Sequence, residues 1–355
     1  MGIPIRNLYY LFCYAWAHFP ASDAVETGVD DCPDLQNLFA HLLVGAANRL
    51  LRRGLDRGYR SFIEETRSPK GKMLLDDTLR AQSLRRGAVV CTFDELTPDV
   101  AHNQIIKATA RALAGSNGIA PDQRRALGLL VSRLTGVSDQ RLETALFRRV
   151  QLSRNTSQYL PIIKLCELVH RSLMPDEIGG GSRFADILED EATMCDVFES
   201  FLRNFYGHEQ SALKVGSEIM SWSGRSEDPA DWLMLPIMKT DITLRGSDRA
   251  IVMDAKFYKA PLASNYGAKR IHSGHLYQLF SYLKHAGLRG PAAPVSGALV
   301  YAAVDEAFRY RFQLDGHDVQ VVAIDLTQPW KSIRSDLLSL LGPVTETRLL
   351  VGDVA

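Results

Sequence analysis

The chain has 355 residues, 46% of them hydrophobic and 23% charged, and its 41 basic residues balance 41 acidic ones. Such a length carries two or three domains with real cores, and the composition excludes collagen-like, mucin-like and wholly disordered chains. A net charge of zero gives no whole-protein field of the kind that marks a nucleic-acid coat or a membrane-surface protein.

In chain order, Asn7–Phe19 is apolar nearly all round and predicts a buried helix. Its run LYYLFCYAWAHF lacks a strong basic leader and a small-residue cleavage site, so a signal peptide is not expected. Residues 22–33 are acidic, with Gly and Pro, and read as a loop. Asp34–Arg53 is an amphipathic helix with Leu35, Leu38, Phe39, Leu42 and Leu43 on one stripe, stopped by Gly54. Residues 57–93 alternate in short runs and predict strands, with a hairpin near Pro69–Lys72. Helices are expected over Thr97–Leu113, over Pro121–Leu134, from Ser138 onward and over 159–174. Pro175–Ser182, with Gly179-Gly180-Gly181, is a flexible break.

Beyond the break the pattern changes. A helix at 190–206 precedes strands near 214–221, 235–245 and 249–259. A helix at 273–286, strands near 297–303 and 319–325, and a helix at 329–341 follow. This is a compact α/β unit. The division is drawn at 155: a mixed α+β N-terminal region over 1–155 and an α/β domain over 156–355.

The five cysteines are scattered and form no Cys-x-x-Cys pair, which fits a reducing, cytoplasmic compartment without a disulfide framework or zinc module. No apolar run is long enough to cross a bilayer. Local charge is uneven. Residues 51–150 carry 18 basic against 11 acidic residues, 151–200 carry 4 against 9, and 251–300 carry 6 against 1. The last stretch is either a solvated basic face or a phosphate-facing surface.

The chemistry concentrates in KTDITLRGSDRAIVMDAKFYK. Gly246-Ser247-Asp248 supplies a turn between two β-rich runs. On the return strand Val252, Asp254, Lys256 and Tyr258 share one face, while Ile251, Met253, Ala255 and Phe257 form an apolar back. The hairpin sets Asp241 opposite Asp254 to within a residue. Opposed carboxylates repel, and a divalent cation between them reverses the sign. Hard oxygen ligands suit Mg²⁺, and Lys256 is placed to orient or deprotonate an attacking water and to neutralise phosphate charge. Asp-x12-Asp-Ala-Lys matches the signature of the PD-(D/E)xK metal-dependent nucleases. A surface hairpin with a salt-bridging lysine would carry the same letters.

In the following helix, Leu276, Leu279, Phe280 and Leu283 form the core stripe, and His275, Gln278, Tyr282 and His285 flank it. Gln278 and Tyr282 can reach a metal-bound water or a DNA phosphate, or simply pack. Glu199 is a candidate third acidic ligand. Lys259, Lys269 and Arg270 are candidate DNA contacts. SPKGKM at 68–73 lacks the spacing and the Ser/Thr of a phosphate-binding loop, so the chain carries no nucleotide motif.

The segments IPIRNLYYLFCYAW, TFDELTPDVAHNQIIKATARAL, LPIMKTDITL, VMDAKFYK and HLYQLFSYL, in this order, resemble the McrC family, the nuclease subunits of McrBC modification-dependent restriction systems. The resemblance covers nearly the whole chain. It implies a C-terminal PD-(D/E)xK nuclease domain, a mixed sheet flanked by helices, with Asp241, Asp254 and Lys256 as catalytic residues. It implies an N-terminal region that engages a hexameric AAA+ GTPase, McrB, and stimulates its GTP hydrolysis. Cleavage of double-stranded DNA would need both subunits, GTP held by the partner, and Mg²⁺. Methylcytosine would be read by the partner. Arg67, Lys70 and Lys72 at the 69–72 turn then become candidate partner contacts. A catalytically silent adaptor of the GTPase is the alternative, and a RecB-like exonuclease a weaker one.

Overall fold

A computed structural model describes residues 2–17, 28–175, 182–184, 187–258, 261–265, 268–286, 294–304 and 306–342. The Gly179-Gly180-Gly181 break, Lys259 and residues 22–27 of the expected 22–33 loop lie outside the described residues. The chain falls into two units, one joining Met1–Asp31 to Asp186–Ala355, the other spanning Cys32–Ala185. Both limits differ from the division at 155. The first helix, α1 (Ile5–Ala15), packs within the unit that contains the C-terminal residues, where Asn7 Nδ2 donates to Leu326 O at 2.7 Å and Gln328 O at 2.8 Å. Pairing across more than three hundred residues leaves no local trace in sequence.

In the Cys32–Ala185 unit, α2 (Leu35–Arg53) starts where Asp34 accepts the Asn37 amide at 2.8 Å and stops at Gly54, whose φ of 92° favours glycine. Strands β1 (Gly58–Thr66), β2 (Lys72–Met73) and β3 (Val89–Thr97) form an antiparallel sheet in the order β1-β3-β2. The expected hairpin at Pro69–Lys72 is therefore not formed: β1 and β2 lie on opposite sides of β3. The chain crosses β3 at Gly71, where a Cβ would meet Thr92 O at 2.4 Å, and φ is 68°. Helix α3 (Leu75–Arg80) follows β2. Helices α4 (Ala101–Gly115), α5 (Pro121–Arg133) and α7 (Leu160–Ser172) pack with α2. The helix expected from Ser138 reduces to one turn, α6 (Thr144–Phe147), because Asp99 Oδ1 takes the Ser138 amide at 2.7 Å and Lys107 Nζ takes Val137 O at 2.6 Å. Short strands β4 (Leu173–Pro175) and β5 (Ser182–Phe184) pair at the end of the unit, so α7 belongs here and not beyond a boundary at 155.

In the other unit, α8 (Glu191–Glu209) is capped by Asp190. Strands β6 (Lys214–Gly216), β7 (Ile219–Met220), β8 (Met238–Lys239), β9 (Ile242–Arg245) and β10 (Ala250–Phe257) follow. Next come the paired β11 (Ala263–Asn265) and β12 (Ala268–Arg270), then α9 (Ser273–Ala286). Strands β13 (Val295–Ala303), β14 (Phe308–Leu314) and β15 (His317–Asp325) and helix α10 (Trp330–Ser339) complete the unit. The main sheet is mixed and six-stranded, in the order β14-β15-β13-β10-β9-β6, with β10, β13 and β15 parallel. The edge strand β14 was not expected, since FRYRFQL is mostly exposed.

Helices flank this sheet. On one face of β10, Phe257 meets Phe198 of α8, ring centroids 6.0 Å apart. On the other, Val252, Leu299 and Tyr301 form a core with Leu279, Tyr282 and Leu283 of α9. Gly297 permits the close approach of α9, because a Cβ there would lie 2.9 Å from Leu283 Cδ1. The division of side chains between two faces read from the sequence is the one observed, but both faces are buried, and the one that carries Asp254 and Lys256 is covered by α9.

Candidate active site

The last paired residues of β9 and β10 are Ile242 and Met253. One step further along the same antiparallel count, Asp241 stands opposite Asp254. The strand expected over 235–245 is interrupted there. The Thr240 amide bonds Glu218 O at 3.0 Å, and the Thr240 and Thr243 hydroxyls bond each other at 2.9 Å. Asp241 leaves the ladder, and its Oδ2 accepts the Ala255 amide at 2.9 Å.

Asp254 has no exposed surface. Lys256 Nζ lies 2.6 Å from its Oδ2, and Oδ1 has no hydrogen-bond partner among the described residues. From Lys256 a chain of bonds runs into α9. Lys256 Nζ donates to Gln278 Oε1 at 3.3 Å, and Gln278 Nε2 donates to the Tyr282 hydroxyl at 3.0 Å. Asp254, Lys256, Gln278 and Tyr282 are thus one connected group. His275, one turn before Gln278, bonds the Tyr301 hydroxyl through Nδ1 at 2.9 Å and stacks on Tyr258. Tyr301 is paired with Lys256 in the parallel β10–β13 register. No local signal reports parallel pairing, so the role of Tyr301 was invisible in sequence.

Burial and the neighbouring Asp241 charge push the Asp254 carboxyl up to about 7, with Lys256 opposing. For Lys256, burial acts downward, but Asp254 and then Asp241 outweigh it and hold the ammonium above its ordinary range. Burial and Asp241 also raise Glu199. Burial, with Lys256 and His272, lowers His275 to about 4, so its ring is neutral near pH 7.

A divalent cation fits this donor set. An orphaned, buried carboxylate oxygen on Asp254 and a second carboxylate on Asp241 are hard donors, and Mg²⁺ commonly takes only one or two protein carboxylates. Glu199 feels the Asp241 charge, and its Oε1 accepts from Arg203 Nη1 at 2.9 Å; no trio of His, Cys, Asp or Glu able to hold a metal occurs among the described residues. Tyr282, read as a DNA contact, is only 7% exposed and supports Gln278 instead. Lys269 and Arg270 are exposed on β12, and Lys269 is paired with Glu306. In the other unit Arg67, Lys70 and Lys72 are exposed, and Lys70 Nζ sits 3.6 Å over the Phe93 ring.

Residues 6–302 match the family described as McrBC 5-methylcytosine restriction system component. The chain belongs to that family. Within it, the chain is 29% identical over 340 residues to the Escherichia coli (strain K12) type IV methyl-directed restriction enzyme EcoKMcrBC, covering 95% of this chain and 97% of that protein. The fold is shared with a chain of the Thermococcus gammatolerans assembly of McrB AAA+ hexamers with bound McrC. There the TM-score is 0.52 at 18% identity, over 95% of this chain and 75% of the other. A second structure, the McrBC complex of the same organism, aligns over 58% of this chain and 59% of the other with a TM-score of 0.42 at 21% identity. No helix among the described residues is long and apolar enough to cross a membrane.

Proposed function

We propose that the chain is the Mg²⁺-dependent DNA endonuclease subunit of a McrBC-type restriction system, working in the cytoplasm with an AAA+ GTPase partner. The observation that carries this reading is the connected group Asp254–Lys256–Gln278, with Asp241 opposite Asp254. Asp241 and Asp254 would hold the cation, which supplies charge neutralisation at the phosphate being cut. Asp254 and then Asp241 raise the Lys256 ammonium in the metal-free chain, which suits it to stabilise negative charge developing on the phosphate. Gln278 fixes the Lys256 ammonium, and Tyr282 fixes Gln278. The reaction is hydrolysis: water adds to phosphorus, one P–O bond breaks, and the departing sugar oxygen takes a proton. Assignment to the PD-(D/E)xK nucleases rests on Asp254 and Lys256 on a central strand of a mixed sheet and on Asp241 just before the strand paired with it.

The partner contact belongs to the Cys32–Ala185 unit. It carries Arg67, Lys70 and Lys72 together with the exposed apolar side chains Tyr59, Ile63, Leu75 and Leu79. A patch of that composition suits a protein interface. The GTPase supplies GTP and its hydrolysis, which this chain stimulates, and methylated DNA is read by the partner.

Titrating Mg²⁺ into the metal-free complex tests the reading. Cleavage of DNA appears with the metal and falls by roughly 10²–10³-fold in Lys256→Ala. Metal-independent cleavage, or full activity without Lys256, would remove it. A silent adaptor would cleave nothing under any condition while still accelerating GTP turnover.

A further inference from the structure

The His275 ring lies between two neighbours of Lys256. Tyr258 follows Lys256 on the same face of β10, and Tyr301 of β13 is paired with Lys256 across the parallel register. His275 stacks on Tyr258 with ring centroids 5.2 Å apart, and its Nδ1 lies 2.9 Å from the Tyr301 hydroxyl. On α9 it stands one turn from Gln278, which holds the Lys256 ammonium. We propose that His275 is a further catalytic residue, donating its Nε2–H to the phosphate being cut, and that Tyr301 is the positioning residue that keeps the proton on Nε2, roles that rest on the proposed nuclease function.

Burial sets the direction of the Tyr301–His275 bond. Tyr301 has no exposed surface, and the His275 ring is its hydroxyl's only partner among the described residues. A phenol carries its proton at neutral pH, and a buried donor needs an acceptor. The hydroxyl therefore donates and Nδ1 accepts. Were Nδ1 the donor, the phenol proton would be left buried with no acceptor. The ring is neutral near pH 7 and then carries one N–H, which falls to Nε2.

Nε2 bonds nothing among the described residues, and the Lys256 ammonium is close enough for its charge to act on the ring. A neutral donor thus stands beside a charged one, and an oxyanion is the acceptor that suits both. The other tautomer would present a lone pair at Nε2, which repels a phosphate. Tyr301 selects against it before DNA arrives. The N–H stabilises charge and stays on the ring, so no proton is transferred.

The test reads the tautomer in the full chain, labelled on its histidine nitrogens, by nuclear magnetic resonance. It reads cleavage of methylated duplex DNA in the complex with the GTPase partner, GTP and Mg²⁺. Wild-type spectra should show His275 protonated at Nε2, and Tyr301→Phe should show mixed tautomers. His275→Phe should lower kcat roughly 10²-fold with KM little changed, whereas His275→Gln, whose amide N–H stands in for Nε2–H, should recover about tenfold of that loss. Tyr301→Phe should cost roughly tenfold alone and nothing further in His275→Gln, where the proton it directs is absent. A pinning role for the ring, without donation, would make His275→Gln no better than His275→Phe. That result overturns the proposal, as does a ring protonated at Nδ1, wild-type kcat in His275→Phe, or an equal loss from Tyr301→Phe in both backgrounds. The wild-type spectra decide the tautomer whichever variants fold. Lys256→Ala is measured alongside. A wild-type complex that cleaves nothing removes the nuclease function and these roles with it, while cleavage that needs Lys256 but not His275 removes these roles alone.

Discussion

Lys256 Nζ and Asp254 Oδ2 lie 2.6 Å apart, on a strand where the carboxylate has no exposure at all. The pair is not self-sufficient, because Asp254 keeps an unpartnered Oδ1 and faces the charge of Asp241. One ammonium cannot neutralise two carboxylates. The surplus negative charge is what a divalent cation would offset, and it makes the metal-free protein sensitive to pH.

In EDTA, stability should therefore fall as pH rises from about 4 to about 7. The Asp254 carboxyl is pushed up to about 7 by burial, so the folded state binds its proton more tightly than the unfolded chain does. The favourable contribution is complete below the unfolded value and is lost as pH passes through the folded one. Asp254→Asn should flatten this part of the profile in denaturant unfolding. An equally steep profile in the variant would assign the dependence to other groups.

Mg²⁺ should raise the unfolding midpoint of the wild-type chain, and more so at pH 8 than at pH 6, because the cation competes with the Asp254 proton. Thermal scans with and without the metal decide this. Stabilisation that persists in Asp241→Asn/Asp254→Asn would move the cation elsewhere.

Removing the Tyr282 hydroxyl should slow cleavage without unfolding the protein. Tyr282→Phe keeps the buried ring and deletes the acceptor that fixes Gln278, so kcat should drop roughly 10-fold with KM little changed, as for other supports of a site. A variant with wild-type kcat would reduce Tyr282 to packing.

Much of this site was legible in sequence. Alternation along 250–257 gave the two faces of β10, and the Gly246-Ser247-Asp248 turn gave its register with β9, so Asp241, Asp254 and Lys256 could be placed together. Gln278 and Tyr282 followed from helical spacing. What sequence did not reveal was long-range. The order β1-β3-β2 depends on a non-adjacent strand inserting between neighbours, so turn signals at Ser68-Pro69 and Gly71 suggested a hairpin that is not there. The docking of α1 depends on Asn7 meeting carbonyls near the other end of the chain. Helical spacing also puts Arg203 one turn from Glu199, where its Nη1 donates to Glu199 Oε1, a pairing that was not read from the sequence.

The basic residues of β12 should contribute unequally to DNA binding. Lys269 is already paired with Glu306, whereas Arg270 is exposed and forms no ion pair among the described residues. Arg270→Glu should lower the log–log salt slope by about one unit, and Lys269→Glu by less. Equal effects from both would mean that the Glu306 pair opens on binding.

The most direct measurement is DNA cleavage by the complex reconstituted from the GTPase partner and Asp254→Ala, with GTP and Mg²⁺ present and the partner's GTP turnover followed in the same tubes. Removing one of two opposed carboxylates should leave the fold intact. Cleavage should disappear while stimulation of GTP turnover remains, because stimulation is assigned to the unit that carries Lys70 and Lys72. Cleavage at the wild-type rate would contradict the assignment of Asp254, and loss of both activities in a folded variant would contradict the division of labour between the two units.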